Sequence, residues 1–274
     1  PKKGAWVRRQ GSDVAAGSVI LKKGVRMTPG AIGMTASIGR AYVTVYRKLR
    51  VGVFFSGDEL VQPGEPLRPG GIYNSNRFMI RSLLTLFGCE ATDLGSIPDS
   101  LEATKRALEN AAETSDVIMT TGGMSVGEED HIKPAVEALG RIDLWRVKLK
   151  PGKPLAFGEV KGVPFIGLPG NPVSGFVVCL MMARPYLMRR MGLTKVDMTP
   201  MKIRADFDWA KPGDREEFVR VRRNDEGGLD LYHTQNSQVL SSCAWADGLV
   251  DIPAGASVKK GDIVHYFPFA QFFA

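Results

Sequence analysis

Residues 116–139 read DVIMTTGGMSVGEEDHIKPAVEAL, which gives a strand pattern, a glycine-rich loop and a helix pattern in that order. Residues 116–121 suit a buried strand, because a strand covered on both faces carries a continuous run of apolar and β-branched side chains. Residues 132–139 have apolar side chains at helical spacing. Such units are typical of α/β domains, in which ligands bind beyond the carboxyl ends of the strands.

The same alternation extends on both sides of this stretch. Strand patterns occur at Val51–Phe55, Cys89–Ile97, Asp116–Thr121, Asp143–Leu149 and Val163–Leu168. Helix patterns occur at Asn76–Phe87, Asp99–Ala112, Ile132–Leu139 and Pro172–Met191. Asp99 and Glu102 are expected to form a capping box that begins the second helix. The sequence therefore predicts a three-layer α/β domain over residues 51–193, with a mainly parallel sheet covered by helices on both faces.

The flanking regions have a different pattern. In residues 1–50, glycines separate short apolar segments such as Ser18–Leu21 and Ala41–Tyr46, which predicts a β-rich segment of strands and turns. Residues 194–274 again carry strand patterns, which are Met201–Phe207, Glu216–Arg223, Leu229–His233 and Asp262–Phe267. We predict a small C-terminal β-barrel, or a sandwich, from these strands. The chain is thus expected to divide into residues 1–50, 51–193 and 194–274.

The net charge of +7 is concentrated at the start of the chain. Residues 1–50 contain eleven Lys and Arg and one acid, Asp13, so they carry +10 and the remaining residues carry −3. A basic segment suits either nucleic acid or a phosphorylated small molecule. Aromatic residues do not interleave with the basic ones and no nucleic-acid motif is recognisable, so we favour the small molecule and keep nucleic acid as the alternative.

Cysteine and hydropathy patterns indicate a cytoplasmic protein. Cys89, Cys179 and Cys243 form no CxxC pair, which suggests neither a disulfide framework nor a thiolate metal site. The longest apolar run, Phe176–Met188, is too short to cross a bilayer and contains Arg184. We therefore expect a reducing compartment and no membrane contact.

The glycine-rich loop is the first candidate binding site. Glycines let the backbone approach a ligand closely, while hydroxyls and free N–H groups can hold phosphate oxygens. The candidate binding residues are Thr121, Gly122, Gly123, Ser125 and Gly127. The acids that follow, among them Glu128 and Asp130, suit magnesium, which prefers oxygen ligands. The alternative is a purely structural turn whose acids cap a helix.

A second segment, Leu168–Ser174, also joins a predicted strand to a predicted helix. The start of a helix presents unpaired N–H groups and the positive end of its dipole, which can hold an oxyanion. The candidate binding residues here are Pro169, Gly170, Asn171, Pro172 and Ser174. Capping alone is the alternative, but it explains only the asparagine and the proline that follows it.

Lysines and one further acid complete the candidates. Lys148–Pro154 places three lysines around a turn, and Lys150 and Lys153 are expected to neutralise phosphate or another oxyanion. Solvated surface is the alternative for such lysines. Asp58, after the first strand, either contacts ligand or caps a turn. For the polar run Tyr73–Asn76, helix capping is an adequate explanation.

Five segments, in this order, resemble the molybdopterin molybdenumtransferases, known as MoeA in bacteria and as the gephyrin E domain in animals. They are Arg8–Asp13, Ser56–Leu60, Thr121–Gly127, Lys150–Pro154 and Leu168–Ser174. The resemblance implies a pterin-binding α/β domain between the end of a β-rich domain and a C-terminal β-barrel. It also implies an elongated homodimer, with each active site between one subunit's α/β domain and another domain of its partner.

The resemblance further implies a reaction, in which adenylylated molybdopterin and molybdate, with Mg²⁺, give molybdenum cofactor and AMP. Asp130 would be the leading catalytic carboxylate and, with Glu128, a magnesium ligand. Asp13 would reach across the dimer as a second catalytic residue. The residues that would shape the molybdate and pterin pocket are Pro169, Pro172 and Ser174. The molybdopterin adenylyltransferase that makes the substrate is an expected further partner.

Two alternatives follow from the same kinship. A molybdopterin adenylyltransferase has a related pterin-binding domain, although the predicted barrel and the Asp13 segment argue against it. A gephyrin-like scaffold that grips receptor peptides is the second alternative, and it would use the same domains without catalysis. Full-length family members also carry an upstream Asp-Gly-Tyr-Ala-like motif that is absent from this sequence, so we expect a chain without the N-terminal domain.

Overall fold

The computed structural model describes residues 1–123, 131–211 and 213–273. Up to residue 144 the elements are α1 (Pro29–Ser37), β1 (Arg50–Ser56), β2 (Leu60–Val61), β3 (Ile72–Tyr73), α2 (Ser75–Leu86), β4 (Glu90–Ile97), α3 (Leu101–Thr114), β5 (Val117–Thr121), α4 (Ile132–Leu139) and β6 (Gly140–Leu144). They are followed by β7 (Leu149–Lys150), β8 (Ala156–Val160), β9 (Val163–Leu168), α5 (Pro172–Val178), a π-helical turn (Cys179–Ala183) and α6 (Arg184–Arg190). The C-terminal elements are β10 (Met201–Arg204), β11 (Glu216–Arg223), β12 (Leu229–Leu231), α7 (Ser241–Trp245), β13 (Gly248–Ile252), β14 (Ile263–Pro268) and α8 (Phe269–Phe273).

A six-stranded sheet lies at the centre, in the order β4-β1-β5-β9-β8-β6. The first four strands are parallel, whereas β8 and β6 each pair antiparallel to the strand before them in this order. The sequence did not predict β8, because Gly158 and Glu159 interrupt its apolar pattern. The predicted α/β class with a mainly parallel sheet is confirmed.

Helices cover both faces of this sheet, because successive side chains of a strand point to opposite faces. In β1, Val53 and Phe55 join the apolar cluster formed with α2, α5 and α6, while Phe54 joins the cluster formed with α3 and α4. All three side chains are fully buried. The two clusters give the predicted three layers, and the alternation of side chains explains why this strand has no polar face.

Helix α3 begins one residue later than the predicted capping box places it. Ser100 is the N-cap, and its hydroxyl accepts a hydrogen bond from the N–H of Ala103. The predicted capping box with Asp99 and Glu102 is therefore wrong. Asp99 is free to point elsewhere, and its carboxylate contacts the loop that follows β1.

The predicted long helix Pro172–Met191 is interrupted by the π-helical turn Cys179–Ala183. In this turn the N–H of Arg184 donates to the carbonyl oxygen of Cys179, five residues earlier. Pro185 follows directly. A proline inside a helix lacks an N–H and its ring collides with the carbonyl four residues before it, so the widened turn relieves the clash that a regular helix would have here.

The N-terminal segment differs from the prediction. Along the described residues 1–49 no strand is formed, and the segment holds only α1 and turns. The predicted strands Ser18–Leu21 and Ala41–Tyr46 lie largely on the surface, with Tyr42 93% exposed. A strand needs a neighbour to accept its hydrogen bonds, and the described part of the chain places none beside this segment. The predicted β-rich character is therefore not observed here.

The C-terminal region forms an open sheet instead of the predicted barrel. Its strands have the order β10-β14-β13-β11-β12, and β7 pairs in parallel with β11. The two ends of this path are joined by one isolated parallel bridge, between Ala205 next to β10 and Leu229 of β12, and among the described residues no strand ladder closes the sheet. Pairing of β7 with β11 joins this sheet to the α/β region. The divisions at residues 50 and 193 stay predictions.

Among the described residues, no helix has the length and apolar character needed to cross a membrane.

Candidate functional site

A cavity of about 870 Å³ opens at the carboxyl ends of the parallel strands. The predicted binding residues that line it are Thr121, Gly122, Gly123, Pro169, Gly170, Asn171, Pro172 and Ser174. Further lining residues that were not predicted to bind ligand include Ser56, Glu59, Asn76, Asp99, Gln238 and Leu240. The volume lies in the range of roughly 300–1,000 Å³ that is typical of small-molecule sites. The structure thus brings the two predicted ligand loops together at one edge of the sheet.

The loop after β5 is held tightly against the loop after β1. Gly122 and Gly123 have φ values of 91° and 61°, in the left-handed region that favours glycine. A Cβ atom at Gly122 would overlap the carbonyl oxygen of Ser56. Only glycine allows this approach, so the glycine pair sets the shape of the cavity wall, as a structural turn and a ligand loop would both require.

Asn76 ties the two ligand loops together. Its amide nitrogen donates to the carbonyl oxygen of Gly170 at 2.7 Å and lies 3.5 Å from the hydroxyl of Thr121. Its amide oxygen is buried and has no hydrogen-bond partner among the described residues. An unpaired buried acceptor costs free energy, but this oxygen is shielded from the cavity, so a ligand N–H would pair with it only after a movement of the side chain.

The role of Asn76 in joining the two loops was not predicted from the sequence, because helix capping was an adequate explanation for the polar run at the start of α2. Capping does occur, since the side chain of Asn74 accepts from the N–H of Arg77 at 3.1 Å. Asn76 lies two residues later and is 8% exposed. A second asparagine beyond the cap was the signal that could have identified it, because the cap alone leaves it unexplained.

Two carboxylates face the cavity from the described residues, Glu59 and Asp99. The hydroxyl of Ser56 donates to one oxygen of Asp99, and the N–H of Asp58 donates to the other at 3.1 Å. The N–H of Asp99 in turn donates to the carboxylate of Asp58 at 3.1 Å. Asp58 is exposed and is not among the residues that line the cavity, and its contacts with Asp99 fix the two loops to each other.

The start of α5 is partly occupied by the C-terminal region. The N–H of Val173 donates to the carbonyl oxygen of Ser237 at 3.1 Å. Asn171 occupies the N-cap position, but its side chain makes no capping hydrogen bond. The buried Ser174 lines the cavity in the first turn. Because Pro172 has no N–H and Val173 is engaged, this helix start offers an anion fewer N–H groups than the sequence suggested.

The predicted lysines do not line the cavity. Lys150 forms an ion pair with Glu217 of β11, with 3.0 Å between its ammonium nitrogen and the carboxylate. Lys153 is exposed, while its neighbour Pro154 lines the cavity. The turn that carries them therefore reaches the cavity edge, although the ammonium group of Lys150 is directed to the C-terminal sheet.

The remaining predicted residues lie elsewhere. Asp13 is exposed in the N-terminal segment and is not part of the cavity lining. Four predicted binding, catalytic or metal residues lie outside the described residues, and they are Ser125, Gly127, Glu128 and Asp130. Within the described ranges, no group of three or more His, Cys, Asp or Glu side chains is arranged to hold a metal ion.

Three family descriptions match successive parts of the chain. Residues 52–189 match the family described as a probable molybdopterin binding domain. Residues 202–269 match the MoeA C-terminal region (domain IV), and residues 1–39 match the MoeA N-terminal region (domains I and II).

Curated and solved proteins agree with these matches. The chain is 43% identical to the molybdopterin molybdenumtransferase of Haemophilus influenzae over 98% of its length, which is 68% of that protein. It is 33% identical to molybdopterin molybdenumtransferase 2 of Mycobacterium tuberculosis, covering 91% of this chain and 64% of the relative. The crystal structure of the molybdopterin biosynthesis MoeA protein of Pyrococcus horikoshii is similar with a TM-score of 0.79 at 29% identity, covering 91% of this chain and 61% of that one.

The chain thus spans about two thirds of the length of the relatives it matches. The cavity lies within the region that matches the probable molybdopterin binding domain, apart from Gln238 and Leu240, which lie in the MoeA C-terminal region. From these matches, the chain belongs to the MoeA family of molybdenum cofactor biosynthesis, whose members include enzymes named molybdopterin molybdenumtransferase.

Proposed function

We propose that the chain inserts molybdate into adenylylated molybdopterin and releases AMP. In this reaction the two dithiolene sulfurs bond to molybdenum, and one molybdate oxygen leaves with the two thiol protons as water. A water molecule cleaves the phosphoanhydride bond of the adenylylated substrate, which leaves the pterin phosphate and releases AMP, so that no net water is consumed. The observation that carries the proposal is the cavity of about 870 Å³, where two glycine-containing loops from neighbouring parallel strands meet. Ligands of α/β folds bind at this edge of the sheet.

The cavity's described residues have separate tasks in this proposal. The loop glycines and Ser174 bring backbone and hydroxyl groups close to phosphate or molybdate oxygens. Asn76 holds the two ligand loops together beside the substrate, and a side-chain movement would bring its unpaired amide oxygen to an N–H group of the pterin. Gln238 and Leu240 close the cavity from the C-terminal region, so a bound substrate would contact both parts of the chain.

Magnesium is part of the proposal. The oxygens of Glu59 and Asp99 face the cavity and are of the type that Mg²⁺ prefers, and this ion commonly takes one or two carboxylates plus substrate phosphates. Glu128 and Asp130 remain proposed ligands, with Asp130 also the proposed catalytic carboxylate. When bound, the ion would supply positive charge that neutralises phosphate and leaving-group oxygens.

The proposed assembly is a homodimer in the cytoplasm. Asp13 lies outside the cavity of its own chain, and a second catalytic role for it requires that it reach the cavity of a partner subunit. Transfer of the adenylylated substrate from a molybdopterin adenylyltransferase would bring that enzyme into contact with the dimer. Sedimentation equilibrium would test the dimer, which requires twice the mass of the 29.9 kDa chain.

The reaction is tested by AMP release. The 274-residue chain is mixed with adenylylated molybdopterin, and AMP is measured by chromatography before and after molybdate and Mg²⁺ are added together. We expect AMP to appear only after the addition. Asp130→Ala should abolish release while its unfolding curve matches the wild type, whereas the exposed control Asp225→Ala should retain full activity.

Other outcomes would favour the alternatives. Adenylylation of molybdopterin with ATP by this chain would favour an adenylyltransferase. Capture of a peptide partner without any pterin binding would favour a scaffold. Full AMP release by Asp130→Ala would contradict the assignment of Asp130 as the catalytic carboxylate. Binding of nucleic acid that weakens with salt would favour a nucleic-acid-binding protein.

A further inference from the structure

A second cavity of about 240 Å³ lies beside the π-helical turn in the middle of the helical segment that starts at Pro172. Its walls are mainly apolar, and its lining includes Leu180, Met181, Met198, Phe267 and Phe272, with the side chain of Arg184. The lining comes from the π-helical turn, α6, the linker to the C-terminal sheet, β14 and α8. None of these residues lines the larger cavity. The second cavity is therefore a separate feature, at the junction of three parts of the chain.

One of the two charged side chains of this cavity, that of Arg184, is deeply buried. Arg184 is 7% exposed. Its Nε donates to the carbonyl oxygen of Phe272 at 3.0 Å and one terminal nitrogen donates to that of Val196 at 3.3 Å. The guanidinium also lies 5.8 Å from the ring centroid of Phe272. These contacts are with neutral groups, whereas a buried charge is normally paired with an opposite charge.

We propose that this cavity binds a small molecule with one carboxylate on an apolar body. A guanidinium has five N–H donors in a planar fork that matches the two oxygens of a carboxylate. The two carbonyl contacts account for two of those donors. The apolar walls suit the rest of the ligand. At about 240 Å³ the cavity is smaller than sites for drug-sized ligands, so a monocarboxylate with a single ring or a short branched chain fits best.

The surrounding charges set the expected selectivity. The positive charge of Arg26 lies close enough to Arg184 to lower its pKa, in addition to the larger effect of burial. A second positive charge strengthens the attraction for an anion. Asp197, at the exposed rim of the cavity, opposes it. Removing that carboxylate should therefore tighten binding of the ligand, whereas a neutral ligand should not respond.

The methionines of the cavity provide a direct probe. Met181 and Met198 line it, whereas Met34 lies in the N-terminal segment and serves as an internal control. The full chain, labelled with ¹³C at the methionine methyl groups, is titrated with benzoate and separately with benzyl alcohol. We expect saturable shifts of both cavity methyls with benzoate, no shift of Met34, and at least about tenfold weaker binding of benzyl alcohol.

Three variants make the test specific. Arg184→Met should weaken benzoate binding at least about tenfold, and Asp197→Asn should strengthen it a few-fold. Because Arg184→Met removes two structural hydrogen bonds, Met181→Trp provides a second route, since it fills the cavity and leaves the arginine in place. It should abolish the shift of Met198. The exposed Arg190→Met is the matched control and should bind like the wild type.

Several results would overturn the proposal. They are absence of a saturable shift with benzoate, equal binding of benzyl alcohol, and unchanged binding by Met181→Trp. Shifts that depend on protein concentration without any added carboxylate would also overturn it, because a second copy of the chain would then fill the cavity. The proposal does not rest on the proposed reaction, since the readout requires no molybdopterin and no turnover.

Discussion

The wall of the larger cavity and the N-terminal segment, residues 1–49, differ in how closely neighbouring residues pack around them. At the cavity, the loop after β5 is crowded by the carbonyl of Ser56, and Asn76 links it to Gly170. The N-terminal segment is largely on the surface, where Val19 is 77% exposed. Packing on several sides fixes the conformation of the cavity loops. The N-terminal segment has neighbours on one side only, so its apolar side chains stay exposed to solvent.

The two regions are nevertheless joined. The N–H of Thr194 donates to the carbonyl oxygen of Gly24 at 3.2 Å, next to the end of α6. Arg47 and Arg50 form ion pairs with Asp116, which precedes β5. These contacts anchor the N-terminal segment near the sheet. Substitutions in each region can therefore measure how much the closer packing at the cavity contributes to the free energy of unfolding.

The largest effect is expected at Gly122. Replacement by alanine places a Cβ atom against the Ser56 carbonyl and in a left-handed backbone conformation, and together these should destabilise the fold by about 2–4 kcal/mol. Gly39 is the matched control, because its φ of 80° is similar but nothing lies within 4 Å of the added atom. Gly39→Ala should cost only about 1 kcal/mol. Equal losses in urea unfolding would show that crowding at the cavity wall is unimportant.

The next effect is expected at Asn76. Asn76→Ala removes the hydrogen bond to Gly170 and should reduce stability by about 1–2 kcal/mol. It should also weaken binding of adenylylated molybdopterin by about tenfold, because the side chain that joins the two ligand loops is lost. The control Ser100→Ala, which removes the N-cap hydrogen bond of α3 outside the cavity lining, should lose about 1 kcal/mol of stability and retain binding. Calorimetric titration beside urea unfolding separates the two effects, and equal binding losses in both variants would assign Asn76 a purely structural role.

A smaller, pH-dependent effect is expected at the anchor. Hydrogen bonds from the Arg47 side chain, more than any other contact, hold the pKa of Asp116 well below its usual range. A depressed carboxyl pKa stabilises the fold above the unfolded value of about 3.9, and this contribution disappears as pH falls through the folded value. Asp116→Asn should therefore cost about 1 kcal/mol at pH 7, and its difference from the wild type should shrink below pH 4. A constant difference from pH 7 to pH 2 would contradict this account.

The smallest effect is expected on the surface of the N-terminal segment. Tyr42 is 93% exposed and Val45 is 62% exposed, so their replacement by serine removes little buried area. Each change should alter the free energy of unfolding by less than about 0.5 kcal/mol. A loss greater than about 1 kcal/mol in either variant would mean that the segment packs against another surface in solution, which analytical ultracentrifugation of the wild type would then detect.

The sequence was sufficient to predict elements whose neighbours are close in the chain or whose apolar pattern is strong. The helix Ile132–Leu139 and the strands Val163–Leu168 and Glu216–Arg223 form with their predicted ends. The strand Gly248–Ile252 was missed, and the strands expected before residue 50 do not form. A β pattern describes side chains, but a strand also depends on which other strands lie beside it, and this is a property of the whole fold.

The candidate site divides in the same way. Glycines beside predicted strand ends pointed to Gly122 and Gly170, because their position in an α/β sheet follows from local order. Gln238 and Leu240 carry no such signal, since they reach the cavity only through packing of the C-terminal region. Lys150 was predicted to bind ligand but forms an ion pair with Glu217 instead. Glu217 lies far away in the sequence, so local order could not identify this pairing.

The π-helical turn before Pro185 has a consequence for how the two cavities are arranged. In a regular helix the first residue fixes the direction of every later side chain, at about 100° per residue. The widened turn at Cys179–Ala183 breaks that relation, so the residues after it take a rotational setting of their own. This offset lets one continuous segment present Ser174 to the first cavity and Arg184 to the second.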